Sequence, residues 1–309
     1  MLVQRLHLSS YYPNSLIEKE KRIAQSVSLK YLYDQEFHLD AQVVLSSSQT
    51  KWTEAPESYL KNLKLIIHPN SGHDNFPPEI FYKGFKGHFI KGNSIRAQAV
   101  AEYNLGAFIQ HFINIPFLSS WDRQRSWPHR KCLNTLKAHI YGMGLIGSKT
   151  YHFLKSLGVE VSATDPYRES EIPSVELKGH VDAVILCTDL NPTTSEFISN
   201  EILSKINPQG CLINASRGKV INQEKLLNFL KKNPQVFAYL DVLKEEPPSE
   251  DLQKTVQELN NLSVSSHVAG VYNHLSREVL NFEAKVLKDF VTLTPHEFQT
   301  QYDELLLKA

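Results

Sequence analysis

Tyr141-Gly142-Met143-Gly144-Leu145-Ile146-Gly147-Ser148 decides the fold. It joins an apolar run, Ala138–Tyr141, to a segment with Ile146, Phe153, Leu154 and Leu157 at helical spacing, which Gly158 stops. A second strand candidate, Val159–Thr164, is followed by an acid, Asp165, 18 residues past Gly147. Strand, G-x-G-x-x-G turn, helix, strand and acid together form a dinucleotide-binding pattern, whereas the glycines alone carry little weight. The three glycines differ in what they do. Gly142 makes the tight turn, Gly144 lets the backbone approach a pyrophosphate, and Gly147 permits close helix–strand packing. The unpaired amides and positive dipole end of the helix, at Leu145, Ile146 and Gly147, then face the phosphates. Asp165 would accept hydrogen bonds from the adenine-ribose hydroxyls and repel a 2′-phosphate, favouring NAD over NADP; Arg168, three residues on, works the other way.

Outward from this turn, further buried-strand candidates follow at Val181–Thr188, Cys211–Ala215, Val236–Asp241 and Leu262–Ser265. Strands alternating with helices this often predict a parallel sheet with helices on both faces, a doubly wound (Rossmann) domain over residues 99–280. Upstream, the apolar runs Ala41–Leu45 and Leu63–Ile67 alternate with helix-like polar stretches and turns such as Phe76-Pro77-Pro78, which predicts a smaller α/β unit.

Composition narrows the function. The chain has 309 residues, 41% apolar and 21% charged, an ordinary globular balance with room for two domains. Thirty-three basic residues offset thirty-three acidic ones. With no net charge there is no electrostatic excess for a nucleic-acid backbone or an anionic membrane, so neither is an expected partner. Met1–His7 lack a secretory pattern, and the most apolar stretch, Leu105–Leu118, is interrupted by Gln110, His111 and Asn114. Cytoplasm is therefore the expected location. Cys132, Cys187 and Cys211 are too few and too scattered for a disulfide framework or a zinc knuckle, and the histidines show no metal-ligand spacing. No metal is expected.

Three downstream segments carry chemistry: Ile213-Asn214-Ala215-Ser216-Arg217-Gly218, Leu240-Asp241-Val242-Leu243-Lys244-Glu245-Glu246-Pro247 and Ser265-Ser266-His267-Val268-Ala269-Gly270. Each starts at the C-terminal end of a predicted strand. In an open parallel sheet those ends converge on one crevice beside the glycine turn, so Arg217, Glu246 and His267 are expected to meet there.

With the glycine turn, these segments resemble the D-isomer-specific 2-hydroxyacid dehydrogenase family, whose signatures run N-x-x-R-G, D-V-x-x-x-E-P and S/T-P-H-I/V-x-G in this order. The likeness covers roughly residues 60–285. It implies that Arg217 binds the substrate carboxylate and carbonyl, that His267 is the general acid/base, and that Glu246 is its partner. It also implies cofactor contacts at Thr188, Ala215, Asp241 and His267. Leu63–Asn75 is similar to the family's L-K-x-I-x-x-x-x-x-G-x-D segment, so the Ser71 and Gly72 amides are expected to hold the substrate carboxylate. Ala99–Tyr103 resembles the start of the helix entering the cofactor domain, and Trp127 has a counterpart. Residues 1–98 and 281–309 would form a flavodoxin-like substrate domain, with a final helix over Lys285–Phe298. A homodimer through the cofactor domain is expected; the helix face of Phe108, Phe112, Ile113 and Phe117 is either core or part of that contact, and the resemblance favours the contact.

Two positions depart from the pattern: Asp189 stands where L-H-x-P-L-T has proline, and Ser266 replaces the proline before the histidine. The resemblance implies an NAD-dependent oxidoreductase interconverting a 2-oxoacid and a D-2-hydroxyacid. Three rivals stay open: an α/β protein that binds no ligand, a non-catalytic NAD(H)-sensing protein of the corepressor type, and a formate- or phosphite-type dehydrogenase. An acid at Glu246 counts against the last, because the formate enzymes resemble a version with glutamine there.

Overall fold

A computed structural model describes residues 1–9, 12–70, 72–113, 131–167 and 172–307. The chain packs as two units, Met1–Arg96 with Val271–Ala309, and Ala97–Gly270. Ser71, Trp127, Arg168 and Phe117 lie outside the described residues.

The first unit is a five-stranded parallel sheet of β1 (Leu2–Arg5), β2 (Lys30–Tyr33), β3 (Ala41–Leu45), β4 (Leu65–His68) and β5 (His88–Lys91), in the order β2-β1-β3-β4-β5. That is the flavodoxin-like order. Successive side chains of β3 and β4 enter opposite cores. Val43, Leu45, Leu65 and Ile67 pack with Val286, Leu287 and Phe298 on one face, while Val44 and Ile66 pack with Trp52, Tyr59, Phe76 and Phe89 on the other.

The C-terminal segment differs from the single helix expected over Lys285–Phe298. A helix already runs over Leu275–Thr292 and a second over Pro295–Tyr302. The break is local chemistry. Pro295 has no N–H to continue the first helix, and the Thr294 side chain accepts from the Glu297 amide while the Glu297 carboxylate accepts from the Thr294 amide. The units part between Gly270 and Val271 rather than at 280, because Leu275, Val279 and Leu280 join a core with Tyr12 and Leu16.

Inside this unit the Arg5 guanidinium donates to both Glu20 oxygens, to Glu283 Oε1 and to the Ser46 carbonyl. All three charged side chains are buried.

The second unit is a six-stranded parallel sheet of β6 (Lys137–Tyr141), β7 (Glu160–Thr164), β8 (Val181–Leu186), β9 (Ile206–Asn214), β10 (Phe237–Leu240) and β11 (Leu262–Val264). Its order is β11-β10-β9-β8-β6-β7, and a parallel bridge from Ala163 to Ser174 extends it past β7. The winding therefore reverses on the two sides of β6. A ligand crevice in such a sheet lies at the carboxyl ends of the strands flanking that reversal.

Every residue of β8 is buried, as a parallel strand covered on both faces requires. Val184, Leu186, Leu212, Ala238 and Leu240 face one core, and Ala183, Ile185, Cys211, Ile213 and Tyr239 the other. Phe108 and Phe112, on the helix Asn93–Ile113, fill the second of these cores at 0% and 4% exposure. These two rings are thus committed to the unit's own interior, not to the subunit contact expected from sequence. Among the described residues no helix is long and apolar enough to cross a membrane.

Candidate active site

The glycine turn follows β6. Gly142 takes φ +90°, a left-handed conformation suited to glycine, and a Cβ there would sit 2.6 Å from the Cys187 carbonyl oxygen. A Cβ on Gly147 would lie 1.9 Å from the Gly142 oxygen, so neither position tolerates a side chain. The helix Leu145–Ser156 starts directly after extended Gly144, and its first-turn amides at Leu145, Ile146 and Gly147 have no intrahelical acceptor. Asp165 closes β7 and grips the turn: its Oδ2 accepts from the Met143 amide at 2.8 Å and its Oδ1 from the Tyr167 amide at 3.1 Å. At the end of β8, Thr188 lies against the same turn, and its Oγ1 is buried with no hydrogen-bond partner among the described residues. An orphaned hydroxyl beside a bare glycine cradle at the sheet's reversal point is what a dinucleotide would complete. Asp189, next along, is exposed, and its carbonyl accepts from Thr194 Oγ1.

The arginine turn follows β9. Buried Asn214 organises it: its Oδ1 accepts from the Ser216 amide and hydroxyl at 3.0 and 2.8 Å, and its Nδ2 donates to the Arg217 carbonyl at 3.0 Å. Ala215 is carried in that turn, and Arg217 Nη1 donates to the Ser216 carbonyl at 2.7 Å. Gly218 fits flush against the next loop, because a Cβ there would lie 2.0 Å from the Leu243 carbonyl carbon and oxygen.

That loop carries Glu246. Its Oε1 accepts from the Leu243 amide at 2.9 Å and its Oε2 from His267 Nδ1 at 2.7 Å. Partial burial pushes the Glu246 carboxyl up, but the hydrogen bonds from His267 and Leu243, with the His267 and Arg217 charges, outweigh it and hold it below the ordinary carboxylate range. The guanidinium, the carboxylate and the imidazole, far apart in sequence, are thus electrostatic neighbours. Gly218→Ala tests this packing. Displacing Leu243 is expected to cost about 1–3 kcal/mol, read as a lower Tm, and to loosen the His267–Glu246 pair.

His267 sits at φ +54°, a left-handed conformation that is uncommon for any residue with a side chain. Asp241 imposes it. Its carbonyl accepts from the His267 amide at 2.8 Å, and its buried carboxylate accepts from the Val268 and Ala269 amides at 2.8 Å each and from Ser265 Oγ at 2.5 Å. Asp241, expected as a cofactor contact, therefore organises the histidine loop. Sequence reading missed this role, and nothing in the 24-residue separation of Asp241 and Ser265 signals it.

Gly72 belongs to the other unit, where its carbonyl accepts from His68 Nε2 at 2.8 Å; the hydroxyl of Ser46 then faces His68 Nδ1 at 2.8 Å.

The reversal point, glycine cradle and acid-tipped second strand define a dinucleotide-binding domain of the doubly wound class. The chain belongs to the D-isomer specific 2-hydroxyacid dehydrogenase family, whose NAD binding domain is matched over residues 105–269. It is 28% identical over 229 residues to D-3-phosphoglycerate dehydrogenase of Methanocaldococcus jannaschii, covering 69% of this chain and 43% of that one. To hydroxypyruvate reductase of Thermotoga maritima it is 26% identical over 263 residues, 81% of this chain and 85% of the other. The chain thus spans less than half the length of the first relative and most of the second. D-lactate dehydrogenase of Aquifex aeolicus, crystallised with NAD and lactic acid, shares the fold with a TM-score of 0.77 at 19% identity over 99% of both chains.

Proposed function

We propose that the chain catalyses the NAD-dependent interconversion of a 2-oxoacid and a D-2-hydroxyacid. The observation that carries this reading is the His267–Glu246 pair, joined at 2.7 Å with Arg217 close enough to act on Glu246. The Leu145, Ile146 and Gly147 amides would hold the dinucleotide phosphates, Asp165 the adenine ribose, and Thr188 and Ala215 would line the rest of its path. Once bound, the nicotinamide supplies or accepts the hydride.

The protein's own groups do the remainder. Arg217 offers a planar fork of donors, the geometry that fixes a carboxylate and polarises an adjacent carbonyl. Ser71 and Gly72 are the remaining candidates for the carboxylate. His267 Nδ1 is committed to Glu246 Oε2, so Nε2 is the atom that exchanges a proton with the substrate oxygen. In reduction, protonated His267 delivers that proton to the alkoxide as it forms; in oxidation, the neutral ring removes it. Glu246, held ionised, stabilises the imidazolium and fixes the ring. The homodimer is likewise proposed, from family membership alone.

Following reduced-nicotinamide absorbance against a panel of 2-oxoacids, glyoxylate, pyruvate and hydroxypyruvate among them, tests the reading; NADH binding without turnover across the panel would overturn it. Cofactor choice has its own test. Asp165→Asn keeps an acceptor for the Met143 amide but removes the charge. It is expected to raise the NAD KM and improve NADP use, shifting the NAD/NADP ratio of kcat/KM by about 10-fold or more, the worth of one charged hydrogen bond. An unchanged ratio would show that this charge does not face the ribose.

A further inference from the structure

We infer that Tyr103 is a positioning residue for His267, acting through a hydrogen-bonded chain from its hydroxyl to Ser265, from Ser265 to Asp241, and from Asp241 to the loop that carries the histidine. The inference rests on His267 as the proton-exchanging group proposed above and extends it to a helix that sequence reading gave only an entry role.

The direction of the chain follows from proton counting. Ser265 Oγ donates its one proton to Asp241 Oδ1 at 2.5 Å. Tyr103 Oη lies 2.8 Å from the same Ser265 oxygen. With the serine proton already committed, the tyrosine must be the donor and the serine oxygen the acceptor. Burial above all raises the Tyr103 hydroxyl above its ordinary value, so the donor stays protonated under working conditions. Tyr103 fixes the serine rotamer, the serine fixes one carboxylate oxygen, and that oxygen also accepts from the Val268 amide, while Oδ2 accepts from Ala269.

The loop needs this support because its backbone is strained. His267 is held at φ +54° between an amide tied to the Asp241 carbonyl and two following amides tied to the Asp241 carboxylate. A carboxylate free to rotate would release Val268 and Ala269, and His267 could then relax to an ordinary φ. Its imidazole would swing off Glu246. Tyr103 touches none of the proposed reacting atoms, so its influence is indirect.

Tyr103→Phe removes the hydroxyl and keeps the ring. Amide hydrogen exchange on the full-length protein is the direct readout. In Y103F, exchange at the Val268 and Ala269 amides is expected to rise about 10-fold, the worth of one buried hydrogen bond, while the Met143 amide, held by Asp165, keeps its wild-type rate. Ser265→Ala is expected to match it, and the double variant to add nothing, because both lie on one chain. In turnover, Y103F is expected to lower kcat about 10-fold and leave the KM for NADH unchanged. Exchange at Val268 and Ala269 within twofold of wild type would overturn the assignment, as would an equal rise at Met143, which would make Tyr103 a general packing residue. Were the wild-type protein to turn over no 2-oxoacid, the proposed function would fail, and the exchange rates would still decide the role of Tyr103.

Discussion

Alanine at His267 is expected to leave a folded protein that reduces 2-oxoacids about 10²–10⁴-fold more slowly, the range for losing a general acid. The imidazole is 53% exposed, so truncating it opens no core cavity and Tm is expected to hold. Glu246→Gln is expected to fall in the same range for a subtler reason. Both glutamate oxygens accept: Oε1 from the Leu243 amide, Oε2 from His267 Nδ1. Glutamine has only one acceptor oxygen. If that oxygen stays on Leu243, the amide NH₂ faces Nδ1, which must give up its proton and become an acceptor. The ring keeps its place but adopts the neutral tautomer with Nε2–H, a poor acid. Because the two residues act as a unit, H267A/E246Q is expected to be no slower than H267A alone. Steady-state kinetics beside thermal melts check this. A Glu246→Gln enzyme with wild-type turnover would remove the carboxylate from the proton path.

The chemistry of these residues also separates what is legible in the sequence from what is not. The runs that form β6 to β10 are legible because strands buried on both faces read as short stretches that are mostly apolar, and Val181–Leu186, interrupted only by Asp182, is the plainest. The glycine turn is legible because Gly142 and Gly147 meet backbone atoms at distances no side chain survives. Arg217, Glu246 and His267 can be named because each follows a strand end, and parallel topology brings those ends together. Pairing partners cannot be read. Asp241 reads as a cofactor ligand because its place in the chain does not record that three donors of the histidine loop surround its carboxylate. Phe108 and Phe112 read as a contact face because an apolar stripe has the same spacing whether it meets a sheet or another subunit. The start of the helix at Leu275 escapes notice because His274 before it makes no side-chain cap.

The buried cluster around Arg5 has no sequence signal at all, and it predicts how stability depends on pH. One guanidinium faces two carboxylates, Glu20 and Glu283, each about 1% exposed. The partners are unequal. Glu20 accepts from Arg5 through both oxygens and also from the Tyr31 hydroxyl at 2.6 Å, whereas Glu283 Oε2 is buried without a hydrogen-bond partner among the described residues. With both acids ionised the cluster would hold an uncompensated negative charge, so the proton belongs on Glu283. Burial, then the Glu20 charge, outweighs the pull of Arg5 and pushes the Glu283 carboxyl from 4.5 up to about 8. The folded state thus binds this proton more tightly than the unfolded chain does. The stabilisation is complete below pH 4.5 and is lost as pH rises through about 8. Glu283→Gln keeps an acceptor for Arg5 and carries no charge to desolvate. Its Tm is expected to match wild type below about pH 4.5, to exceed it progressively as pH rises towards about 8, reaching about 3–6 °C there, and to lose the wild-type decline over that interval. Arg5→Met removes the shared cation and strands Glu20 and Glu283 together, an expected loss of about 3–5 kcal/mol. Thermal melts from below pH 4.5 to above pH 8 decide the matter. Were Glu283→Gln to decline with pH in parallel with wild type, the proton would reside elsewhere, and the cluster would be a plain buried ion pair whose third member is already neutralised by some other donor.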